Sequence, residues 1–294
     1  MELTPATAIG LAVALVGFEA LDRVRYTFAA RRGRHAEPDD AAPDGSRSEP
    51  RGPVPPLATD LREHVWKWSV PALLVVVVAV EGNSLASIGW RIDSVERLVF
   101  QVGVGLAAMI GSNILFAPLW ARVGDGGESL AAGLGSFASL SVPERLFVAF
   151  TAGATEETAF HGYALERLLA LTGNLPLSGG VAFVAFTLGH TGETWDRDAV
   201  ARIAQPALMT TLLYLWFRSL PALIAIHALN DAVGLLLADR FAAPTDDAPP
   251  SESATVETTA DGPAAVEPTA DGSEPAPSGS EDTDPDALGW LRGE

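Results

Sequence analysis

Apolar residues are grouped in seven long runs, each close to the length that a membrane-crossing helix needs. A bilayer core takes about 20 mainly apolar residues per helix, so each run predicts one span. The runs cover residues 4–21, 69–90, 98–120, 145–171, 175–190, 200–217 and 220–238. Because the fifth run is short, we expect six to eight helices, about seven, in an all-α polytopic membrane bundle.

The charges beside the first run predict how the chain is oriented in the cell membrane. Its leading end carries Glu2, and its arginines all follow the apolar stretch, from Arg23 to Arg34. This order differs from that of a cleaved signal peptide, whose positive charges come first. Since basic flanks stay in the cytoplasm, the N-terminus is predicted outside and, after seven spans, the C-terminus inside.

Two polar segments separate the predicted domains. Residues 32–57 are rich in Pro, Gly, Asp and Arg, which is typical of a flexible linker. Residues 244–294 hold 13 acidic residues and one basic residue, and they have too few apolar side chains to offset the entropy cost of ordering. We therefore expect a first helix with its basic flank (1–31), a linker, a membrane domain (58–243) with a catalytic core at 145–240, and a disordered acidic tail of unknown partner.

Composition excludes several classes of function. The chain has no cysteine, which excludes disulfides, thiol nucleophiles and thiolate metal sites. A net charge of −18 argues against binding to nucleic acid, which requires basic side chains against the phosphates. The acid-rich composition, with Lys67 as the single lysine, suits a solvent of high salt and predicts a halophilic source.

Polar side chains inside the apolar runs are the candidates for chemistry. An ionised carboxylate at mid-bilayer costs about 2.5 to 3.5 kcal/mol on insertion scales, so such groups face an interior cavity and pair there. The fourth, fifth and seventh runs together contain His161, His190, His227, Glu156, Glu157, Asn230 and Asp231. We expect these side chains to line one cavity.

Spacing places these residues in stripes, because residues four apart share a helix face. The pairs at this spacing are Glu157 with His161, Phe186 with His190, and His227 with Asp231. Glu156 lies about a hundred degrees around the helix from Glu157. One carboxylate can therefore face a substrate while its neighbour braces a partner helix.

Three motifs, in this order, resemble those of the CAAX-processing and bacteriocin-processing (CPBP, or Abi) intramembrane endopeptidases, the group that includes the Ras-converting protease. That family has a double glutamate followed four residues later by arginine, then phenylalanine and histidine separated by three residues, then histidine followed four residues later by asparagine or aspartate. Here the motifs begin at Glu156, Phe186 and His227. The resemblance covers about a third of the chain.

The resemblance implies an intramembrane endopeptidase that cleaves a peptide near the bilayer, including a prenylated C-terminus as in CAAX processing. It implies Glu156 as the main catalytic carboxylate and His190 as its partner in activating water. His227, with Asp231, would bind the oxyanion, and Glu157 would be a supporting acid. These roles match amide hydrolysis, which needs an activated water and a donor for the developing negative charge.

Two details leave the mechanism open. An ionised Asp231 cannot donate to an oxyanion, so it is expected to orient His227, with Asn230 as a candidate amide donor. His161 stands where the family has arginine, and histidine is shorter and titrates near pH 6.5. The histidine raises a second interpretation, a zinc ion held by Glu156, His190 and His227, with His161 a further ligand type.

Three other functions remain open at this point. A catalytically inactive relative could act as a membrane scaffold or as an immunity protein, with the acidic tail recruiting a partner. A proton- or ion-coupled transporter would also place Glu and His at mid-membrane. A transporter of this kind predicts inverted repeats, but the first three runs contain no counterpart of the three motifs.

Overall fold

The computed structural model describes residues 2–35, 59–125, 127–191 and 197–242. Every regular element in these residues is a helix, which confirms the prediction of an all-α fold. The tail (244–294) and most of the linker (32–57) lie outside the described residues. The described residues belong to one compact unit, Met1–Thr245.

The first half of the unit contains five α-helices. Their bounds are α1 Pro5–His35, α2 Leu61–Lys67, α3 Ser69–Val80, α4 Val95–Trp120 and α5 Glu128–Ser136. Helices α2 and α3 meet at Trp68 and follow one another closely enough to form a single apolar stretch, Leu61–Val80. Short 3₁₀ turns follow α3 at Leu85–Ile88 and α5 at Phe137–Ser139.

The second half begins with a helix that changes type along its length. Helix α6 (Val142–Glu157) continues into a π-helical segment (Thr158–Leu165) and then into α7 (Glu166–Thr172). The remaining helices are α8 Leu175–Leu188, α9 Arg197–Phe217 and α10 Leu220–Leu236, with a 3₁₀ turn at Ala238–Arg240. The π segment contains the second half of the first motif, including His161.

Within the described residues, three stretches are long and apolar enough to cross a membrane by themselves. They are Pro5–Arg25, Leu61–Val80 and Val95–Trp120, while Leu175–Leu188 and Leu220–Leu236 are shorter apolar helices. Large apolar side chains such as Ile114 and Leu115 are exposed on the outer surface, as expected for a surface that faces lipid. The structure supports a membrane location, and the count of seven spans stays a prediction.

Several predicted ends differ from those in the structure. The second run, predicted at 69–90, matches the start of α3 at Ser69 but ends at Val80, and it is preceded by α2, which Asp60 caps by accepting from the Arg62 backbone N–H. Helix α1 extends to His35, into the start of the predicted linker. Helix α8 ends at Leu188, so His190 lies in the turn beyond it rather than inside a helix.

Ion pairs tie the chain together at both ends of the bundle. At one end, Glu81 accepts from Arg167 at 2.6 Å and from the Tyr163 hydroxyl at 2.8 Å. At the other end, Arg145 forms a bidentate ion pair with Asp239, in which each of the two N–O distances is 2.8 Å. Hydrogen bonds from the Arg145 guanidinium hold the pKa of Asp239 below its usual range.

The crossing of α6 and α10 has the most extensive contact in the bundle, and it depends on a glycine. A Cβ added at Gly153 would lie 2.9 Å from the Ala228 backbone nitrogen and 3.0 Å from the Ile224 carbonyl oxygen. Such distances are too short for any side chain, so only glycine permits this approach. The approach brings the acidic end of α6 against the histidine of α10.

Helix α6 has a well-defined beginning. Ser141 and Glu144 form a capping box, in which the Glu144 carboxylate accepts from the Ser141 backbone N–H at 2.7 Å. A proline in the first turn fits there because it has no N–H to leave unpaired. This start fixes the register that carries Glu156 and Glu157 to the interior.

Candidate active site

Glu157 lies at the centre of the candidate site, with no exposed surface. Its Oε2 contacts Nδ1 of His161 at 2.5 Å, and its Oε1 contacts Nδ1 of His227 at 2.6 Å. A buried carboxylate is stabilised when hydrogen-bond donors occupy its oxygens. Glu157 therefore links α6, the π segment and α10 and has no oxygen directed at a substrate.

His161 connects this carboxylate to α9. Its Nε2 lies 2.9 Å from the Thr211 hydroxyl, which in turn donates to the Ala207 carbonyl oxygen at 2.9 Å. Because the hydroxyl hydrogen is used in this way, the Thr211 oxygen accepts from His161. His161 thus donates to Glu157 and Thr211, and it is fully buried.

His227 lies between two carboxylates. Its Nδ1 contacts Glu157, and its Nε2 is 3.2 Å from Oδ2 of Asp231, one helical turn along α10. Ionised carboxylate oxygens only accept, so the ring donates from both nitrogens. The Asp231 side chain is 32% exposed, which places this end of the pair at the open side of the site.

Glu156 has a different environment from its neighbour. Its Oε1 is 3.4 Å from the Lys67 Nζ, and its Oε2 is 3.7 Å from Nε2 of His190. Oε2 is buried and has no hydrogen-bond partner among the residues that the structure describes. Glu156 is therefore the carboxylate with an unengaged oxygen, and this oxygen faces an imidazole.

His190 is held by the turn that follows α8. Its Nδ1 lies 2.8 Å from the Phe186 carbonyl oxygen and donates to it, because a carbonyl oxygen only accepts. In the neutral ring, Nε2 then carries the lone pair. When the ring is neutral, this lone pair is directed at Glu156, and the two facing atoms are both acceptors.

Phe186 packs against the rings of all three histidines. Its ring centre is 4.8 Å from that of His190, 5.9 Å from His227 and 6.1 Å from His161. Phe160 packs edge-on against it at 5.4 Å. This aromatic contact restricts the rotation of the imidazoles and separates them from one another.

Asn230 belongs to a chain of amide hydrogen bonds that leads away from the site. Its Nδ2 donates to Oδ1 of Asp231 at 3.3 Å, and its Oδ1 accepts from Asn113 at 3.2 Å. Gln205 donates to Asn113 at 3.1 Å and to Ser112 at 3.0 Å. The amides of α4 and α9 thus hold Asp231 through Asn230, and the Asn230 amide points at Asp231 rather than into the space between Glu156 and His190.

The predicted zinc site at Glu156, His190 and His227 is not formed by this arrangement. Among the described residues, no group of three or more His, Cys, Asp or Glu side chains could hold a metal ion. Both ring nitrogens of His227 face carboxylates, and Nδ1 of His190 is bound to a carbonyl. With these partners, the three side chains do not fit a metal ion.

Several residues of the site were missed from the sequence. Lys67 lies just before the predicted second run, and the signal that could have revealed it is its position as the single lysine of the chain. Thr211, Asn113 and Gln205 lie in predicted spans, where hydroxyl and amide side chains are common. Only the fold shows which of these polar groups point at the site.

Comparison with known proteins finds a family model that is similar to the same part of the chain. Residues 138–233 match the family model for type II CAAX prenyl endopeptidases, described as Rce1-like. The matched residues extend from the start of α6 to the middle of α10 and include all three motifs. No curated protein and no solved structure matches the chain significantly.

Proposed function

We propose that this chain, whose residues 138–233 match the Rce1-like family model, hydrolyses a peptide bond at the membrane with a water activated by Glu156 and His190. The observation that carries the proposal is the unengaged oxygen of Glu156, 3.7 Å from Nε2 of His190. With His190 neutral, the two facing atoms both accept, so a water beside the line that joins them donates a hydrogen to each.

The two acceptors perform the first step of amide hydrolysis. Hydrogen bonds from the water to both acceptors direct an oxygen lone pair away from Glu156 and His190, toward the scissile carbonyl carbon. As the new carbon–oxygen bond forms, Glu156 takes the water proton. The same proton then passes to the leaving nitrogen as the carbon–nitrogen bond breaks, which returns Glu156 to its ionised form.

His227 is the donor for the oxyanion of the tetrahedral intermediate in this proposal. Its Nε2–H points toward the open side of the site, where Asp231 now accepts at 3.2 Å. The partly exposed Asp231 can share this hydrogen with the developing oxyanion while it keeps the ring oriented. An N–H donor in this position stabilises the intermediate more strongly than it stabilises the planar amide.

His161 takes the supporting role that arginine has in the family. It contacts the same Glu157 and adds a contact to α9, so the carboxylate keeps its partner despite the substitution. This contact favours an active enzyme over an inactive scaffold or immunity protein. A transporter needs a polar path across the bundle, whereas these groups converge on one carboxylate pair.

The substrate class follows from the family and the setting. We propose a protein with a prenylated C-terminus, whose lipid enters from the bilayer while the peptide reaches the open side near Lys67 and Asp231. By the positive-inside rule, applied to the arginines that follow the first apolar run, this side lies at the cytoplasmic face of the cell membrane, with the N-terminus outside. The membrane domain (58–243), with its core at 145–240, suffices for hydrolysis, and the tail (244–294) is not required.

The test uses the full chain in liposomes with a quenched fluorescent peptide, farnesylated or unmodified. Glu156→Gln and His190→Ala are each expected to lower kcat by about a hundredfold or more, because each removes one of the two acceptors of the water. Glu128→Gln, which changes an exposed carboxylate on α5, is the matched control and should retain full activity. Removal of 244–294 should also leave cleavage intact.

Two outcomes would overturn the proposal. Cleavage that continues at the wild-type rate in Glu156→Gln would remove the assigned base, and the absence of any Glu156-dependent cleavage would favour the scaffold or the transporter. A chelator series separates the metal alternative. Treatment with 1,10-phenanthroline should leave kcat unchanged, and a loss that zinc restores would show that a metal performs the activation.

A further inference from the structure

Lys67, the single lysine of the chain, lies against the candidate base. It ends α2, and its side chain is 28% exposed, compared with 9% for Glu156. The next residue anchors this point to α6, because the Trp68 indole donates to the Thr151 hydroxyl at 3.2 Å and its ring packs 5.8 Å from Phe150. The position of Lys67 relative to Glu156 is therefore fixed by the backbone.

The two oxygens of Glu156 have different neighbours because of this lysine. Oε1 is 3.4 Å from the ammonium nitrogen, while Oε2 faces His190 and has no hydrogen-bond partner among the described residues. An isolated carboxylate can rotate about its last bond and exchange its oxygens. An ammonium on one oxygen removes this freedom and leaves the other oxygen for the water.

We infer that Lys67 is a positioning residue for hydrolysis, whose positive charge holds Oε1 of Glu156 so that Oε2 stays directed at His190. The inference rests on the proposed function, because it assigns to Lys67 the orientation of the base that the proposal uses. Lys67 itself touches neither the attacking water nor the oxyanion. Asp22 on α1 is a second carboxylate that interacts electrostatically with Lys67.

Kinetic variants separate charge from packing at this position. Lys67→Met keeps the apolar stem and removes the charge, so kcat should fall about tenfold or more while KM changes less than about twofold, because the base is misplaced but the substrate contacts remain. Lys67→Arg keeps the charge and should retain kcat within about threefold. Arg62→Met is the matched control, since it removes an exposed positive charge from the same helix.

Because the chain has one lysine, chemical modification gives a second test without mutation. Acetic anhydride converts the amine to an amide and removes its charge, whereas reductive dimethylation keeps the charge. Acetylated protein should lose kcat and dimethylated protein should keep it. Lys67→Met protein treated in the same way shows how much of each effect comes from the N-terminal amine.

A third readout does not depend on activity. In Glu156→Gln the ammonium loses its carboxylate partner, so the acetylation rate of Lys67, followed by mass spectrometry of its peptide, should rise severalfold over the wild type. An unchanged rate would show that the pair does not form in the folded protein.

The outcomes distinguish the two proposals. Full kcat in folded Lys67→Met, or in acetylated protein, overturns the role of Lys67 and leaves the proposed hydrolysis intact. If no prenylated peptide is cleaved in a Glu156-dependent way, the proposed function fails, and the inference that rests on it fails with it. The melting temperature of each variant in detergent establishes that the compared proteins are folded.

Discussion

Glu157 and His227 are joined by a 2.6 Å hydrogen bond across the crossing of α6 and α10, at a carboxylate with no exposed surface. The preceding residue, Glu156, has one oxygen without a partner among the described residues. The two adjacent glutamates therefore have different environments. Glu157 maintains the contact between α6 and α10, whereas Glu156 keeps one oxygen without a hydrogen-bond partner in the described part of the chain.

This difference predicts opposite phenotypes for neighbouring substitutions. Glu157→Ala should lower the free energy of unfolding by about 3–5 kcal/mol, the usual cost of removing one partner of a buried charged pair. The buried rings of His161 and His227 would each lose an acceptor. The melting temperature in detergent measures the loss, with wild type as reference.

Glu156→Gln should instead melt close to the wild-type temperature and lose hydrolysis. Its amide keeps a similar volume, the unengaged oxygen has no hydrogen bond to lose, and the partly exposed Lys67 that contacts the other oxygen can be hydrated instead. If the two variants melted at the same temperature, the structural assignment of the two carboxylates would be wrong.

The glycine at the helix crossing gives a second prediction. Gly153→Ala adds a Cβ 2.9 Å from the Ala228 nitrogen, and forcing α6 and α10 apart should cost about 1–3 kcal/mol, as overpacking does. The separation would also lengthen the contact between Glu157 and His227, so activity should fall together with the melting temperature. Gly180→Ala is the matched control, because a Cβ there meets nothing within 4 Å. Equal melting temperatures for the two alanine variants would contradict the close approach.

The amide chain behind Asp231 gives a third prediction. Asn113→Leu removes the hydrogen bond from α4 to Asn230, which in turn holds Asp231. Because Asp231 orients His227, kcat should fall about tenfold with little change in KM. Ile114→Ala, an exposed neighbour on α4, should leave both constants unchanged. A rise in KM alone would instead indicate a direct contact with the substrate.

The loop after α4 predicts how stability depends on pH. Ser129 and the Gly127 backbone N–H, which both contact the carboxylate, lower the pKa of Asp125 from 3.8 to about 2. A lowered pKa in the folded state contributes stability above the unfolded value, and this contribution is lost as the pH falls from about 4 to about 2.

The melting temperature of wild type should accordingly exceed that of Asp125→Asn at neutral pH, and the difference should shrink as the pH falls below about 4. Glu128→Gln, a nearby exposed carboxylate, serves as the control. A difference that stayed constant down to about pH 2 would show that the charge of Asp125 does not contribute.

The sequence predicted the all-α class and the pairs of residues that share a helix face, because both depend on local patterns. Apolar runs mark helices, and residues four apart share a face, as the contacts of Glu157 with His161 and of His227 with Asp231 illustrate. These patterns need no knowledge of the tertiary fold.

The missed features depend on contacts between distant parts of the chain. Lys67 reaches Glu156 only because α2 packs on α6, and Thr211 reaches His161 only because α9 packs on the π segment. The turn that holds His190 follows from the end of α8 at Leu188, and an apolar run gives no signal of that end. Helix ends and long-range polar contacts therefore required the structure.

The π-helical segment at Thr158–Leu165 sets a constraint that no motif expresses. Before it, α6 presents Glu157 to two histidines, and after it, α7 presents Arg167 to Glu81 at the far end of the bundle. Deleting one residue from the segment would turn the two helices by about 100° relative to each other. Such a chain would retain every side chain of the site but could form only one of the two contacts, Glu157 with its histidines or Arg167 with Glu81. The number of residues between Glu157 and Arg167 is therefore as necessary as the residues themselves.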